Sequence, residues 1–252
     1  MQRTFVVGNW KMYKTPSEAR DFALELVKEL NGIKEVEIAV APPFVSLLPV
    51  WEVIKGSDIK LCAQDVFWEK EGAYTGEISP LMLKDAGCEY VIIGHSERRR
   101  YFKETDEDVN KKLKAAISEG LKPILCIGET LEEREKGETF KVLERQLTIG
   151  LEGITHEDFP KITIAYEPVW AIGTGKNATP EQIKEVHHYV KSLLREKKGE
   201  TKGFVRILYG GSVTPDNINE LIKTPGVDGV LVGGASLRVS SFVTIVMAGR
   251  RK

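Results

Sequence analysis

Polar side chains that could stabilise an anion stand where the first apolar run of the sequence ends. Asn9 ends the run at 4–9, and Lys11 lies two residues further on. Because alternate residues of a strand face the same way, both side chains can point to one side. The lysine would then be a fixed positive charge for an anionic substrate. A solvated lysine after a strand is the alternative interpretation.

A histidine follows the apolar run at 89–93. His95 precedes residues that can open a helical turn. The exposed N–H groups of a helix start favour the neutral imidazole, which can donate one hydrogen bond to a developing oxyanion. A structural histidine bonded to the backbone fits the sequence equally well, and Glu97 could hold Lys11 or pair with a nearby arginine. Three further histidines fall in loop or helix patterns and are expected at the surface: His156, His187 and His188.

A carboxylate follows the apolar run at 161–166. Glu167 would lie in a partly apolar setting, which makes a carboxylate more basic, and Pro168 keeps it out of the helical conformation. The loop at 168–176 has an apolar tip, Val-Trp-Ala-Ile, followed by a glycine-rich stretch. Exposed apolar side chains predict a lid that closes over a ligand, while a loop packed permanently on the protein is the alternative.

Two glycine pairs follow the last two apolar runs, at 210–211 before Ser212 and at 233–234. Glycine lets backbone N–H groups approach an anion closely, and a helix start beside them favours negative charge. Each pair alone is weak, because turns use glycine widely, but two pairs at consecutive strand ends predict a phosphate site. The sequence lacks the glycine patterns of dinucleotide and nucleoside-triphosphate sites, and no carboxylate or histidine cluster indicates a metal.

The elements that must position these residues form a repeating pattern of a short apolar run and an amphipathic segment. The runs lie at 4–9, 36–41, 59–63, 89–93, 121–127, 161–166, 205–209 and 227–232. Several are continuously apolar, which is typical of parallel strands buried on both faces by helices. Helix starts with a capping threonine are expected at Thr15, Thr130 and Thr179. The pattern predicts an α/β fold, a single-domain (β/α)8 TIM barrel over 1–252, with an open doubly wound sheet as the alternative.

Composition excludes several classes of protein. The 36 basic and 37 acidic residues leave a net charge of −1, so we expect neither a nucleic-acid partner nor a membrane partner. Cys62, Cys88 and Cys126 have no spacing typical of a disulfide framework or zinc site, which indicates free thiols in a reducing compartment. With no signal-peptide pattern and no apolar stretch of membrane-spanning length, the expected location is the cytoplasm.

Taken together, the motifs resemble those of the triose-phosphate isomerase family over essentially the whole chain. Singly several are ordinary, but their order and spacing are specific. They lie at 8–12, 41–44, 72–79, 94–99, 126–129, 165–176, 209–212 and 232–237.

The resemblance implies a cofactor-free isomerase acting on a small phosphorylated triose. It implies that Glu167 removes the substrate proton, that neutral His95 polarises and protonates the enediolate oxygens, and that Lys11 and Asn9 stabilise negative charge, with Glu97 among the catalytic residues. It further implies backbone contacts to the phosphate from four residues: Gly173, Ser212, Gly233 and Gly234.

The resemblance also implies an assembly and a moving segment. Loop 168–176 would close to keep water out, and a homodimer would place Thr75 of one subunit, on loop 64–78, in the site of the other. Phe67, Trp68 and Tyr74 are available for that contact. Cys126 matches a family position near the base, although a buried structural thiol explains it equally well.

Two segments depart from the family pattern, and two other functions remain as alternatives. The segment at 238–241 lacks the expected proline at the last helix start, where Ser240 or Ser241 could be the cap, and the basic end at 249–252 is atypical. Another phosphate-binding barrel, such as an aldose–ketose isomerase of amino-acid biosynthesis, would keep the glycine pairs without needing all the charged groups. A non-enzymatic binding module of the same fold is the second alternative.

Overall fold

The computed structural model of the protein describes residues 3–172, 178–198 and 204–250. Within them eight parallel strands close into a barrel in sequence order, and β8 pairs with β1. The strands are Thr4–Asn9 (β1), Val36–Ala41 (β2), Ile59–Ala63 (β3), Cys88–Ile93 (β4), Lys122–Ile127 (β5), Thr163–Tyr166 (β6), Arg206–Tyr209 (β7) and Gly229–Val232 (β8). The predicted closed barrel is confirmed, and the open sheet is excluded.

All eight predicted apolar runs overlap a strand, and the first three agree with it at both ends. The predicted run at 161–166 begins too early, because residues 159–161 form a 3-10 turn and β6 starts only at Thr163. The run at 227–232 likewise begins two residues before Gly229. One buried apolar residue, Ile162 or Val227, precedes each of these strands, so the sequence places the strands better than it places their first residues.

Helices surround the barrel, and they cover its outer face with apolar side chains. The α-helices of the described residues are Pro16–Leu30 (α1), Leu47–Ile54 (α2), Pro80–Asp85 (α3), Ser96–Phe102 (α4), Asp106–Ser118 (α5), Leu131–Glu135 (α6), Thr139–Gly150 (α7), Pro180–Lys198 (α8), Ile218–Lys223 (α9) and Val239–Ala248 (α10). None of these is long and apolar enough to cross a membrane.

Threonine caps start the helices where the sequence predicts them. The hydroxyls of Thr15 and Thr130 each accept the N–H three residues on, and the glutamate there bonds back to the capping N–H. At Thr179, Gln182 plays the same part, with bonds of 3.0 and 3.3 Å. These reciprocal bonds satisfy N–H groups that a helix start otherwise leaves free.

The last helix starts differently from the prediction. The α10 helix begins at Val239 with Arg238 as its first flanking residue, which makes no side-chain cap, so neither Ser240 nor Ser241 is the cap. The basic end has a local explanation, because the Arg250 guanidinium lies 2.6 Å from Glu35 just before β2. Residues 251–252 lie outside the described residues.

The barrel interior is a filled apolar core rather than a pore, as in other barrels of this size. Alternate residues of each strand point inward. The inward residues are Phe5, Val7, Ala39, Ala41, Cys62, Tyr90, Ile92, Ile124, Cys126, Ala165, Leu208 and Leu231. The three cysteines are buried and free, as the sequence predicts.

Candidate active site

The candidate site residues continue the inward rows of the barrel past its apolar core. Asn9 lies two positions after Val7, and Glu167 lies two positions after Ala165. Because side chains alternate along a strand, each must face the barrel axis at the carboxyl ends of the strands. We call this end of the barrel, where Asn9, Lys11, His95 and Glu167 line one cavity, the mouth.

Lys11 is held at the mouth by its neighbours on three sides. Its backbone has φ +51°, and its N–H donates to Asn9 Oδ1 at 3.0 Å. Gln64 Nε2 donates to its carbonyl oxygen at 2.8 Å, and its ammonium lies 2.6 Å from Glu97 Oε1. The structure therefore favours the reading in which Glu97 holds Lys11. With a carboxylate on one side only, the ammonium keeps donors for a ligand.

His95 lies two residues after the end of β4 and directly before the first turn of α4. The N–H of Glu97 donates to His95 Nδ1 at 3.2 Å, so this ring nitrogen is the acceptor and the ring proton belongs on Nε2. Nε2 lies 2.9 Å from Glu167 Oε1. The start of α4 thus favours the tautomer with the proton on Nε2, which faces the cavity.

Glu167 is 2% exposed, and both of its carboxylate oxygens are occupied. Oε1 faces His95, and Oε2 accepts the Ser96 N–H at 3.0 Å. Burial raises the pKa of Glu167, but these two partners more than offset it, so the pKa lies below its ordinary value. The predicted increase in basicity is therefore wrong for this conformation, because a direct contact outweighs the apolar setting.

The same contact shifts the pKa of His95 in the opposite direction. Burial lowers the pKa of His95, but the Glu167 carboxylate and its hydrogen bond raise it above the ordinary value. Cys126 lies beneath the pair; burial and the neighbouring Glu167 both raise the pKa of its thiol. Cys126 is therefore a neutral packing group beside Glu167 rather than a reactive thiolate.

Two glycines give the Glu167 backbone and side chain their room. A Cβ built on Gly128 would lie 1.7 Å from the carbonyl oxygen of Glu167, which no side chain could occupy. A Cβ built on Gly210 would lie 3.0 Å from Glu167 Cγ. The ends of β5 and β7 therefore enclose Glu167 closely, and glycine is required for that approach.

The predicted phosphate-binding residues line the other side of the same cavity, which has a volume of about 550 Å³. Ser212, Gly233 and Gly234 all belong to its wall. Gly234 begins a 3-10 turn over Gly234–Leu237, whose first N–H groups have no partner within the turn. A Cβ built on Gly233 would lie 3.7 Å from Lys11 Nζ. Gly173, the fourth predicted residue, lies outside the described residues.

The described part of the predicted lid, Pro168–Ile172, packs on a buried carboxylate. Trp170 Nε1 donates to Glu129 Oε1 at 2.8 Å, and the same oxygen accepts from Tyr166 at 3.1 Å and from Arg134 at 2.9 Å. Glu129 has no exposed surface. These contacts hold the tryptophan to the barrel, while the rest of the loop, 173–176, lies outside the described residues.

Sequence reasoning missed several residues of this neighbourhood. Gln64, Ser96 and Glu129 hold Lys11, Glu167 and Trp170 respectively. For Gln64 a signal existed, because it follows inward-facing Cys62 by two positions. The other two act through contacts that no local pattern reveals.

One histidine is placed wrongly by the sequence. His187 was expected at the surface but is fully buried, with Nδ1 3.0 Å from the carbonyl oxygen of Gly226. Burial lowers its pKa to about 4. Its ring packs edge-on against the ring of Tyr166, with the two ring centres 5.9 Å apart. Tyr166 is the residue directly before Glu167. His187 is a neutral packing residue, whereas His156 and His188 are exposed, as expected.

A second and larger cavity, of about 710 Å³, lies between α4, α5 and α6. Its cations are largely paired: Arg99 and Arg145 both contact Asp106, at 2.5 and 3.2 Å. Among its described lining residues no carboxylate faces an imidazole as Glu167 faces His95, so the mouth is the candidate active site. Among residues 3–172, 178–198 and 204–250, no group of three or more potential ligand side chains could hold a metal ion.

Comparison with known proteins gives one consistent result. The family model described as "Triosephosphate isomerase" matches residues 4–249. The triosephosphate isomerase of Carboxydothermus hydrogenoformans is 58% identical over 98% of this chain and 98% of its own. That of Caldanaerobacter subterraneus subsp. tengcongensis is 55% identical over 98% of this chain and 99% of its own. The crystal structure of triosephosphate isomerase from Bartonella henselae is similar with a TM-score of 0.89 and 39% identity, covering 99% of this chain and 100% of that one.

Proposed function

The chain belongs to the triosephosphate isomerase family, and we propose that its reaction is carried by the side chains gathered at the mouth. The enzyme interconverts dihydroxyacetone phosphate and D-glyceraldehyde 3-phosphate, an aldose–ketose isomerisation of glycolysis and gluconeogenesis. A proton moves between neighbouring carbons through an enediolate. The catalytic residues of the proposal are Asn9, Lys11, His95, Glu97 and Glu167.

Glu167 is the base of the proposal. Its carboxylate takes the proton from the carbon beside the carbonyl, and the electrons of that bond move onto the carbonyl oxygen. To reach substrate, Glu167 must leave His95 and Ser96, and the burial that raises its pKa is then no longer offset. The resting contacts therefore hold a weak base that becomes a stronger one when substrate separates the pair.

His95 and Lys11 stabilise the charge that this step creates. With its proton on Nε2 and Nδ1 occupied by the Glu97 N–H, His95 can donate to the substrate oxygens and pass a proton between them. Lys11 and Asn9 add positive and polar groups beside the enediolate. Donors already fixed in place lower the energy of an oxyanion without reorganising during the reaction.

The phosphate group of the substrate would lie against backbone N–H groups at the opposite wall. Ser212, Gly233 and Gly234 provide that wall, and Gly173 is proposed as the fourth contact. Helix and turn starts with free N–H groups suit a dianion. The distance between this wall and the base would set which phosphorylated substrate fits.

The observation that carries the proposal is the direct contact of a buried carboxylate with the Nε2 of an imidazole, facing a lysine across one cavity. A coupled assay on D-glyceraldehyde 3-phosphate with a metal chelator present tests the reaction and the absence of a cofactor together. Full activity with chelator is expected. Activity that chelator abolishes, or none on this substrate with turnover on another aldose phosphate, would contradict the proposal.

We also propose that the chain, as a single domain over 1–252, forms a homodimer. Met12 is 93% exposed and Val45 72% exposed, at loops that adjoin the loop at 64–78. Apolar side chains this exposed are typical of interaction sites when they lie together. Thr75 lies exposed at the tip of that loop and outside the wall of its own chain's cavity, which leaves it available to the site of the second subunit.

The aromatic side chains of the same loop support this assignment. Phe67 packs on Trp68 and Tyr74 with ring centroids 4.1 and 4.7 Å apart. Sedimentation equilibrium is expected to give twice the chain mass of 28.2 kDa. A single-chain mass at all concentrations would contradict the dimer.

The proposed lid is the loop at 168–176, and the proposed location is the cytoplasm. Closing the lid would require Trp170 to leave Glu129, whose carboxylate would keep Tyr166 and Arg134 as partners. Three buried free thiols suit a reducing compartment. Shortening the loop is expected to release inorganic phosphate from substrate as a side product, because water then reaches the intermediate.

A further inference from the structure

The loop after β8 is tied to β1, and to the loop that follows β1, through two adjacent residues. The Ser236 hydroxyl donates to the carbonyl oxygens of Gly233 at 2.7 Å and of Asn9 in β1 at 3.3 Å. Lys14 Nζ donates to the carbonyl oxygen of the next residue, Leu237, at 3.2 Å. The first tie is buried inside the barrel wall, whereas the second comes from a side chain in the loop that also carries Lys11.

Lys14 makes this contact from an unfavourable backbone conformation. Its φ is +72°, in the left-handed region that favours glycine or asparagine over lysine. Its ammonium lies 4.0 Å from the centre of the Phe22 ring in α1, and the residue is half-buried. Burial lowers the pKa of Lys14, and the nearby Glu18 carboxylate partly offsets that effect. An ordinary surface lysine has none of these constraints.

The two tied loops carry groups that must act together. Lys11 approaches Gly233 so closely that a Cβ there would lie 3.3 Å from Lys11 Cε. The spacing of the loops therefore sets the gap between the Lys11 ammonium and the N–H groups at Gly233 and Gly234. A phosphoryl dianion between them needs that gap to be constant.

We propose that Lys14 is a positioning residue that fixes the loop after β8 against the loop after β1, and so shapes the subsite for the phosphoryl dianion of the substrate. Lys14 touches no reacting atom and acts through Leu237. The inference rests on the proposed phosphate contacts of Gly233 and Gly234.

The test compares Lys14→Asn with Lys103→Asn in the full-length enzyme. Asparagine tolerates a positive φ, so both changes keep the backbone conformation and remove a long cationic side chain. Lys103 is the matched control: its φ is +60° and its Nζ bonds to the Arg100 carbonyl at 3.1 Å, but it is exposed and lies outside the mouth. The measurements are steady-state kinetics, competitive inhibition by inorganic phosphate, and thermal unfolding.

For Lys14→Asn we expect the KM for glyceraldehyde 3-phosphate and the inhibition constant of phosphate to rise about five- to tenfold, the size expected when one ordinary hydrogen bond that holds the subsite is lost. We expect kcat of Lys14→Asn to stay within about twofold of the unmodified enzyme, because the role of Lys14 is in binding alone. We expect Lys14→Arg to bind phosphate more tightly than Lys14→Asn does, because arginine can still donate to the Leu237 carbonyl. Lys103→Asn should leave all of these values unchanged.

D-Glyceraldehyde, which lacks the phosphoryl group, separates this role from general damage. Its slow isomerisation should be equally fast in Lys14→Asn and the unmodified enzyme. An equal loss with both aldehydes, or an unchanged phosphate inhibition constant, would overturn the inference while leaving the proposed phosphate contacts standing. If phosphate does not compete with substrate in the unmodified enzyme, the phosphate contacts themselves fail, and the role of Lys14 fails with them.

Discussion

The two ends of the barrel each carry a carboxylate with partners, half-buried at one end and buried at the other, and the buried one lines the cavity of the candidate site. At the amino end, which we call the floor, Glu37 accepts a hydrogen bond from Tyr90 and lies 2.6 Å from Arg206. At the mouth, Glu167 contacts His95 and Ser96. The same apolar core separates the two clusters. In both, burial raises the pKa of the carboxyl and its partners lower it below the ordinary value.

The difference lies in the partners and in what faces them. The Arg206 guanidinium is permanently charged and is stacked 4.3 Å from the Phe5 ring, which in turn lies 4.8 Å from the Tyr90 ring. At the mouth the partners are a titratable imidazole and one N–H, and the far side is an open cavity. A carboxylate whose partners cannot leave stabilises the fold, whereas the proposed role of Glu167 as base requires partners that a ligand can displace.

The largest effect that separates the two ends is expected from shortening each carboxylate by one methylene. Glu167→Asp should lower kcat by about 10²–10⁴, the contribution typical of a positioned general base, because the carboxylate would stand farther from the carbon. Affinity for ligand should change little. Glu37→Asp is the control, with normal kcat and lower stability. Near-normal turnover in Glu167→Asp would contradict the proposed role of Glu167 as the base.

Lys11→Ala should come next in size. It removes the cation beside the developing enediolate. We expect kcat/KM to fall roughly a hundredfold or more, which is a loss of about 3 kcal/mol of transition-state stabilisation, as for the loss of one oxyanion donor. Steady-state kinetics measures this directly. If the loss were less than about tenfold, Lys11 would be a bystander that merely pairs with Glu97.

Arg206→Met tests the floor in the same way. Methionine keeps an apolar stem over Phe5 but leaves the Glu37 carboxylate with Tyr90 as its remaining partner among the contacts described above, and the free energy of unfolding should fall by about 3 kcal/mol. Turnover should not change. Lys122→Met, which removes an exposed cation 5.2 Å from the Tyr90 ring, should cost less than about 0.5 kcal/mol. Urea unfolding at one fixed protein concentration gives both values. An equal, small loss in both variants would mean that the floor contributes no special stability.

The smallest expected effect compares the two buried histidines. His187 has no carboxylate partner, so burial lowers its pKa to about 4, whereas Glu167 raises that of His95. The unfolded chain binds a proton at His187 below about pH 6.5, whereas the folded chain binds one only near pH 4. The free energy of unfolding therefore decreases as the pH is lowered through this window. His187 should contribute about 2 kcal/mol of the loss between pH 7 and pH 5.

His187→Gln should therefore lose less stability than the unmodified protein over that range, as measured by urea unfolding at several pH values. His188→Gln is the matched control, since His188 is exposed on the same helix. Identical pH dependence in the two variants would show that His187 is not kept neutral by burial.

Much of the mouth could be predicted from the sequence because a strand has a simple period. Buried strands appear as continuous apolar runs, and counting in twos from Val7 or Ala165 reaches Asn9 and Glu167. The same kind of counting could have found His187: it shares the inward helical face of Ile183, Val186 and Val190. Its polar side chain, rather than its position, led to the wrong prediction.

Other features could not be predicted because they depend on contacts between distant parts of the chain. Lys11 and Glu97 are 86 residues apart, and local sequence favours an arginine as the partner of Glu97. The direction of the Glu167 pKa shift depends on one 2.9 Å contact, since burial alone would have raised it. The start of α10 also differs from the prediction, because the helix begins after Arg238 without a serine cap.

The way Glu167 continues the inward row of β6 has a consequence for how such enzymes can diversify. Its direction follows from the hydrogen-bonded register of β6 inside the barrel. Loops that carry none of the residues at the mouth can therefore be exchanged or lengthened while the Glu167 carboxylate keeps its direction. A single residue inserted within the strand, however, would turn the carboxylate outward into the helical layer and erase the activity in one step.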